Sequence, residues 1–173
     1  TSHRAPGALM ANMSATVERS PLGVVGVIGP WNYPIFTPIG SIAYALAAGN
    51  TVVFKPSEYT PGVGMWMADS FNAIAPFAGI FTTITGMAET GNALCTSAIN
   101  KLSFTGSTRT AKLVAAACAT QMTPVVLECG GKDPVIVASD ANLDRAVDAT
   151  IWSAMANAGQ SCIGAERVYV DER

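Results

Sequence analysis

Residues 24–55 read VVGVIGPWNYPIFTPIGSIAYALAAGNTVVFK, and the fold turns on this stretch. Val24 to Ile28 is an almost continuous apolar run, the pattern of a parallel strand covered on both faces. A helix follows, starting near Ile35 and closed by Gly49-Asn50, residue types that accept the left-handed conformation at a helix end. A second apolar run, Thr51 to Phe54, delivers Lys55. No Asp, Glu, Lys or Arg occurs from Ser20 to Phe54, but a spanning helix needs about twenty predominantly apolar residues in a row. Pro30, Pro34, Pro38, Gly40, Gly49 and Asn50 interrupt this one. Two buried strands around a helix account for the stretch, and a membrane span does not.

The alternation continues outward. Pro61 sits where a first helical turn tolerates proline, with a helix expected over Val63 to Ala75 before Pro76 and Gly79 break the chain. A strand at Ile80 to Thr85, a short helix at Glu89 to Thr96, a strand at Lys101 to Phe104 and an alanine-rich helix at Thr108 to Thr120 follow. Thr123 to Leu127 reads as a further strand that ends at Glu128. Valine-rich and isoleucine-rich runs alternating with helices predict an α/β protein, a Rossmann-like parallel sheet with helices on both faces. After Gly130-Gly131 the pattern restarts: a strand at Pro134 to Val137, a helix from Leu143 to Ala158 opened by Asp140, and a strand near Val168. The glycine pair is the expected domain boundary, separating 22–130 from a second α/β unit beginning at 131–173. Residues 1–21 are polar, and the alternation of Met13, Ala15 and Val17 suggests an extended arm.

Half of the 173 residues are hydrophobic and 13% are charged, which fits a packed globular unit. A net charge of -2, with ten scattered Lys and Arg, leaves no footprint for nucleic acid. The four cysteines, Cys95, Cys118, Cys129 and Cys162, form no CxxC pair, and His3 is the single histidine, so a metal site is not expected. With no secretory segment at the start, reduced thiols in a cytoplasmic protein are the expectation. The chain opens on Thr1 and stops at Arg173 directly after Arg167-Val168-Tyr169-Val170, and reads as a section of a longer one.

A nucleotide site in such a sheet lies outside the carboxyl ends of its strands. The polar residues there are few: Trp31-Asn32 after the first strand, Lys55 and Glu58 after the second, Gly106-Ser107 after the fourth and Glu128 after the fifth. The GxGxxG fingerprint is missing from Gly26-Val27-Ile28-Gly29-Pro30. Phe104-Thr105-Gly106-Ser107-Thr108 instead puts glycine and hydroxyls at a helix start, where free amides favour phosphate, although a Ser there serves equally as an N-cap. Cys162, in Gly159-Gln160-Ser161-Cys162, sits past a helix in a setting that suits an accessible, reactive thiol. No histidine follows His3, which argues strongly against a Cys-His protease pairing. Glu128 is then the candidate base, at a strand end where partial burial raises a carboxyl pKa. Taken singly, Glu128 reads as well as a cap or ion-pair partner, and Cys162 as a packing residue.

Taken together, Pro30-Trp31-Asn32-Tyr33-Pro34, Phe54-Lys55-Pro56-Ser57-Glu58, Phe104-Thr105-Gly106-Ser107-Thr108, Leu127-Glu128-Cys129-Gly130-Gly131-Lys132 and Gly159-Gln160-Ser161-Cys162 resemble the NAD(P)-dependent aldehyde dehydrogenase superfamily, in the family's order. The resemblance implies that Cys162 attacks the aldehyde to give a thiohemiacetal and then a thioester. It implies that Asn32, with the backbone N–H of Cys162, forms the oxyanion hole, and that Glu128 activates the hydrolytic water. Lys55 and Glu58 would hold the adenosine ribose, Gly106 and Ser107 the pyrophosphate, with Trp31 lining the phosphate side and Gly130 among the cofactor contacts. NAD is the expected cofactor; Lys55 and Ser57 leave room for NADP if Glu58 swings aside. Residues 22–130 become a dinucleotide-binding domain, 131–173 the start of a catalytic domain, and residues 3–21 resemble the arm through which members form homo-oligomers.

The implied substrate is a small or medium aldehyde, met by Tyr33, Phe36, Thr37, Ser161 and Ile163; no nearby arginine clearly marks a carboxylate-bearing semialdehyde, and Arg167 is the one arginine left open for it. Two departures stand out: Cys129, where leucine is more usual, and Ile163-Gly164-Ala165-Glu166-Arg167. Cys129 reads as a small buried residue or as an oxidation partner for Cys162. Against hydrolytic oxidation stand the coenzyme A-acylating branch, which typically lacks the carboxylate base, and a non-catalytic binding or structural relative.

Overall fold

The computed structural model describes residues 2–4, 7, 8, 13, 15–74 and 79–172, the first three through their backbone alone. Among them are nine strands and five α-helices: β1 (Ser2–Arg4), β2 (Ala15–Val17), β3 (Val24–Ile28), α1 (Phe36–Ala47), β4 (Thr51–Lys55), α2 (Pro61–Asn72), β5 (Phe81–Thr83), α3 (Ala88–Cys95), β6 (Lys101–Gly106), α4 (Thr108–Ala119), β7 (Val125–Cys129), β8 (Asp133–Val137), α5 (Leu143–Met155) and β9 (Ala165–Val170). The expected helix end at Ala75 and the breaker Pro76 lie outside the described residues, as do parts of the N-terminal arm; β1 and β2 pair antiparallel there.

Five strands form one all-parallel sheet in the order β5-β4-β3-β6-β7. Strand direction and side-chain alternation split the core into two layers. Val25, Val27, Val52 and Phe54 pack with Ile42 and Ala45 of α1 and with Met67 and Ala68 of α2. Ile28, Leu102 and Phe104 pack on the opposite face with Leu94 and Cys95 of α3 and with Ala111, Val114 and Cys118 of α4. Helices therefore cover both faces, as the apolar strand pattern demands. The uncharged stretch before Lys55 is divided among β3, α1 and β4, and no helix of the described residues is long and apolar enough to cross a membrane.

Several boundaries shift for local reasons. Helix α1 ends where expected, because Gly49 adopts φ 83 and Asn50 donates its backbone N–H to Ala45 O at 3.0 Å. The Asn50 side chain does more than stop the helix: its Oδ1 accepts from the N–H groups of Leu22 (2.6 Å) and Gly23 (3.0 Å), anchoring the entry to β3. Strand β6 runs two residues past Phe104, since Thr105 and Gly106 still pair with Glu128 and Cys129. Strand β7 starts at Val125 and not Thr123, because Met122 turns left-handed (φ 55) and Thr123 N–H still bonds to Cys118 O at 3.0 Å. Asn142, not Asp140, caps α5 by accepting from Arg145 N–H at 3.0 Å. That helix stops at Met155 rather than Ala158 and passes into a 3-10 turn over Ala156–Gly159, with Asn157 and Ala158 left-handed.

Strands β8 and β9 form a separate two-stranded parallel sheet joined through α5. This unit has almost no core of its own: Val137 is its one buried apolar residue among those described, while Ile136, Trp152 and Met155 are 77%, 75% and 69% exposed.

Candidate active site

The order β5-β4-β3-β6-β7 has its reversal between β3 and β6, because the chain builds outward from β3 to β5 and then returns to β6 on the other side. Loops leaving adjacent strands on either side of such a point diverge and open a crevice at the carboxyl edge. Trp31-Asn32 leaves β3 and Gly106-Ser107 leaves β6, so two of the expected groups flank that crevice. Trp31 is 45% exposed beside it.

Lys55 ends β4 with its stem buried to 4% exposure and its ammonium donating to Pro56 O at 3.2 Å. Glu58 Oε2 lies 3.8 Å from Lys55 Nζ, with the Glu58 side chain 42% exposed. The lysine is thus fixed by the protein, and the glutamate is free on its water side. Ser57 is buried, and its Oγ accepts from Tyr59 N–H at 3.3 Å, so it shapes the turn instead of facing the crevice.

Ser107 is the N-cap of α4, its Oγ accepting from Thr110 N–H at 3.2 Å. The capping role foreseen as the alternative is therefore realised, and it leaves the remaining first-turn amides and the positive end of a twelve-residue helix facing the crevice. Gly106 is packed from below: a Cβ there would lie 2.7 Å from Phe104 Cζ. Gly130 is exposed, and a Cβ on it would meet nothing within 4 Å.

The second unit meets the first at Asn32. Asn32 Nδ2 donates to Gln160 O at 2.8 Å, across 128 positions of sequence. Asn157 Nδ2 donates in turn to Asn32 O (3.1 Å) and Gln160 O (3.3 Å). Cys162 follows two residues after Gln160, in a turn closed by Gly164 N–H to Ser161 O at 3.2 Å, and its thiol is exposed. The structure therefore joins Asn32 to the loop that carries Cys162, and the accessible thiol expected from its polar setting is present.

Glu128 differs from expectation. It is exposed, because β7 is an edge strand with β6 on one side only and the outer part of its faces uncovered; the partial burial inferred from its strand-end position is missing. No hydrogen bond or ion pair links it to Cys162 among the described residues. Cys129 is half-buried against the layer of Leu102 and Phe104, as a small packing residue would be. Beyond the glycine pair, Lys132 forms an ion pair with Glu166, and Arg167 Nε donates to Lys132 O at 2.9 Å, strapping this loop to β9. Arg167 also lies over the Tyr169 ring at 5.9 Å, so it is engaged within its own strand.

Among the described residues no group of three or more His, Cys, Asp or Glu is placed to hold a metal. Two apolar grooves lie away from these groups: one of about 440 Å³ between α3 and the sheet, lined by Val53, Ile84 and Leu94, and one of about 230 Å³ between α5 and the strands β8 and β9. Asn157 was not foreseen from sequence. The signal available was its residue type, since Asn takes the left-handed conformation several-fold more readily than most.

The family model described as "Aldehyde dehydrogenase family" matches residues 2–173. A probable coniferyl aldehyde dehydrogenase of Pseudomonas aeruginosa is 41% identical over 170 residues, covering 98% of this chain and 36% of that protein. The solved structure of an NAD+ complex of aldehyde dehydrogenase from Bacillus cereus superposes with a TM-score of 0.86 at 36% identity, covering 90% of this chain and 32% of that one. An E. coli enzyme described as NADP dependent gives 0.84 at 42% identity, covering 88% and 32%. The chain spans about a third of the length of these relatives.

Proposed function

The chain belongs to the aldehyde dehydrogenase family, and from that premise we propose that the full-length protein oxidises an aldehyde to a carboxylic acid through a thioester on Cys162. The observation that carries this reading is the Asn32 Nδ2 bond to Gln160 O, which sets an amide donor beside the nucleophile's loop. In the proposed sequence the Cys162 thiolate adds to the carbonyl carbon, and the carbonyl oxygen takes the negative charge. Asn32 and the Cys162 N–H stabilise that oxygen, a contribution of about 10²–10³ in rate for one donor. Loss of hydride from the same carbon leaves a thioester. Glu128 then removes a proton from water as it attacks, releasing the acid and the thiolate.

A nicotinamide dinucleotide fits the residues present: the α4 amides and Gly106 for its pyrophosphate, Lys55 and Glu58 for its ribose, Trp31 along the phosphate side. When bound, it accepts the hydride. Glu58 makes a 3.8 Å contact to Lys55 and its side chain is 42% exposed, so the ribose site favours NAD and, if Glu58 swings aside, tolerates NADP. Relatives described as an NAD+ complex and as NADP dependent support both. Residues 22–130 would be the dinucleotide-binding domain, 131–173 the first part of the catalytic domain, and residues 1–21 an arm that joins homo-oligomers.

The test is made in the full-length protein. Cys162→Ala is expected to abolish aldehyde-dependent NADH production, and turnover at an unchanged rate sinks the assignment. Glu128→Gln is expected to give one burst of NADH, then slow turnover as acyl-enzyme accumulates. Normal steady-state rates would remove Glu128 as the base. A requirement for added coenzyme A would replace water as the acceptor.

A further inference from the structure

Asn157 belongs to none of the motifs that pointed to chemistry, yet it ties together the two loops that carry Asn32 and Cys162. Its backbone and that of Ala158 are left-handed, at φ 53 and 58, a conformation that residues with a Cβ seldom adopt twice in succession. The reversal ends α5 and turns the Asn157 amide back across the site. Its Nδ2 donates to Asn32 O at 3.1 Å and to Gln160 O at 3.3 Å. Asn32 Nδ2 donates to the same Gln160 oxygen at 2.8 Å, and a carbonyl with two lone pairs accepts both.

These bonds close a small ring. Asn157 holds the backbone from which the Asn32 side chain springs, and it also holds the carbonyl that engages one of the two Asn32 amide hydrogens. The second hydrogen is left with a defined direction. A donor that must meet charge only in the transition state is effective in proportion to how firmly it is fixed beforehand. The Gln160 carbonyl lies two residues before Cys162, so the same ring also fixes the distance between donor and nucleophile loop.

We propose that Asn157 is a positioning residue, which orients the Asn32 amide toward the oxygen of the substrate by bridging Asn32 O and Gln160 O. The proposal rests on the roles given above to Asn32 and Cys162. Two variants of the full-length protein separate the side chain from the backbone. Asn157→Gly keeps the left-handed conformation accessible and deletes both bonds. Asn157→Asp keeps the shape but has no N–H to donate. Each is expected to lower kcat and the single-turnover NADH burst rate together, by about 10-fold to 10²-fold, with cofactor KM and melting temperature near the parent's. In the Asn32→Ala background, Asn157→Gly should cost no more than about a further twofold, because the donor it orients is gone.

Parental kcat in either variant overturns the proposal. So do fully multiplicative losses in the double variant, or a rate loss that simply follows a fall in cofactor affinity and melting temperature. Cys162→Ala is measured alongside: its turnover would sink the reading of the site itself, whereas full-rate Asn157 variants beside an inactive Cys162→Ala overturn only the positioning role.

Discussion

Burial separates the exposed thiol of Cys162 from those of Cys95 and Cys118. Cys95 and Cys118 are 1% and 0% exposed on the facing helices α3 and α4, whereas Cys162 is exposed. Burial, followed by the neighbouring Cys118 thiol, pushes the Cys95 thiol from 9.0 up to about 12, and burial raises Cys118 as well. Between 9.0 and about 12 the unfolded chain has released the Cys95 proton while the folded chain keeps it, so the unfolded state binds fewer protons and stability falls as pH rises. Below 9.0 both states carry the proton and this thiol adds no slope. Urea unfolding of the full-length protein at successive pH values should therefore show a falling midpoint above about pH 9. Cys95→Ala should flatten that fall relative to the parent, and an unchanged slope would contradict the assignment. The same contrast predicts that a thiol reagent near neutral pH labels Cys162 and spares Cys95 and Cys118. Cys162 was legible as the accessible thiol from its Gly159-Gln160-Ser161 setting. The exposure of Glu128 was not, because burial at a strand end depends on what lies beside the strand.

Elements were the most legible level. The bounds of β3 were read from sequence as they stand, and those of α1, β4 and α4 to within one or two residues, because apolar runs, Gly49-Asn50 and the Ser107-Thr108 start are local signals. Two of the misplaced ends, the start of β7 and the end of α5, lie where the backbone turns left-handed without glycine, at Met122 and at Asn157-Ala158. Met122 is 86% exposed and only supplies a turn, so Met122→Gly should stabilise the protein by about 0.5–1 kcal/mol, the steric relief exceeding the added chain entropy. Phe54 gives the opposite case. It is 0% exposed between α1, α2 and β5, stacked 6.3 Å from Phe81, and Phe54→Ala should cost about 3–5 kcal/mol through the cavity it leaves. Both are measured as shifts in unfolding midpoint, and a neutral Phe54→Ala would mean that this layer of the core is not closely packed.

Taken whole, the molecule is unevenly finished. The five-stranded sheet carries a helix layer on each face, while β8, α5 and β9 leave Ile136, Leu143, Trp152 and Met155 on the surface. A polypeptide of residues 1–173 alone is accordingly expected to bind a hydrophobic dye, to associate, and to produce no NADH from aldehydes; robust turnover by it would show that the described groups suffice. The sequence by itself determined the class and the order of strands and helices along the chain, because periodicity, caps and turn residues act over a few neighbours. Tertiary structure alone decided the strand order with its crevice between β3 and β6, the open edge at Glu128, and the meeting of Asn32 with Gln160 across 128 positions. Those depend on which elements pack side by side, a competition among distant surfaces that no local pattern records.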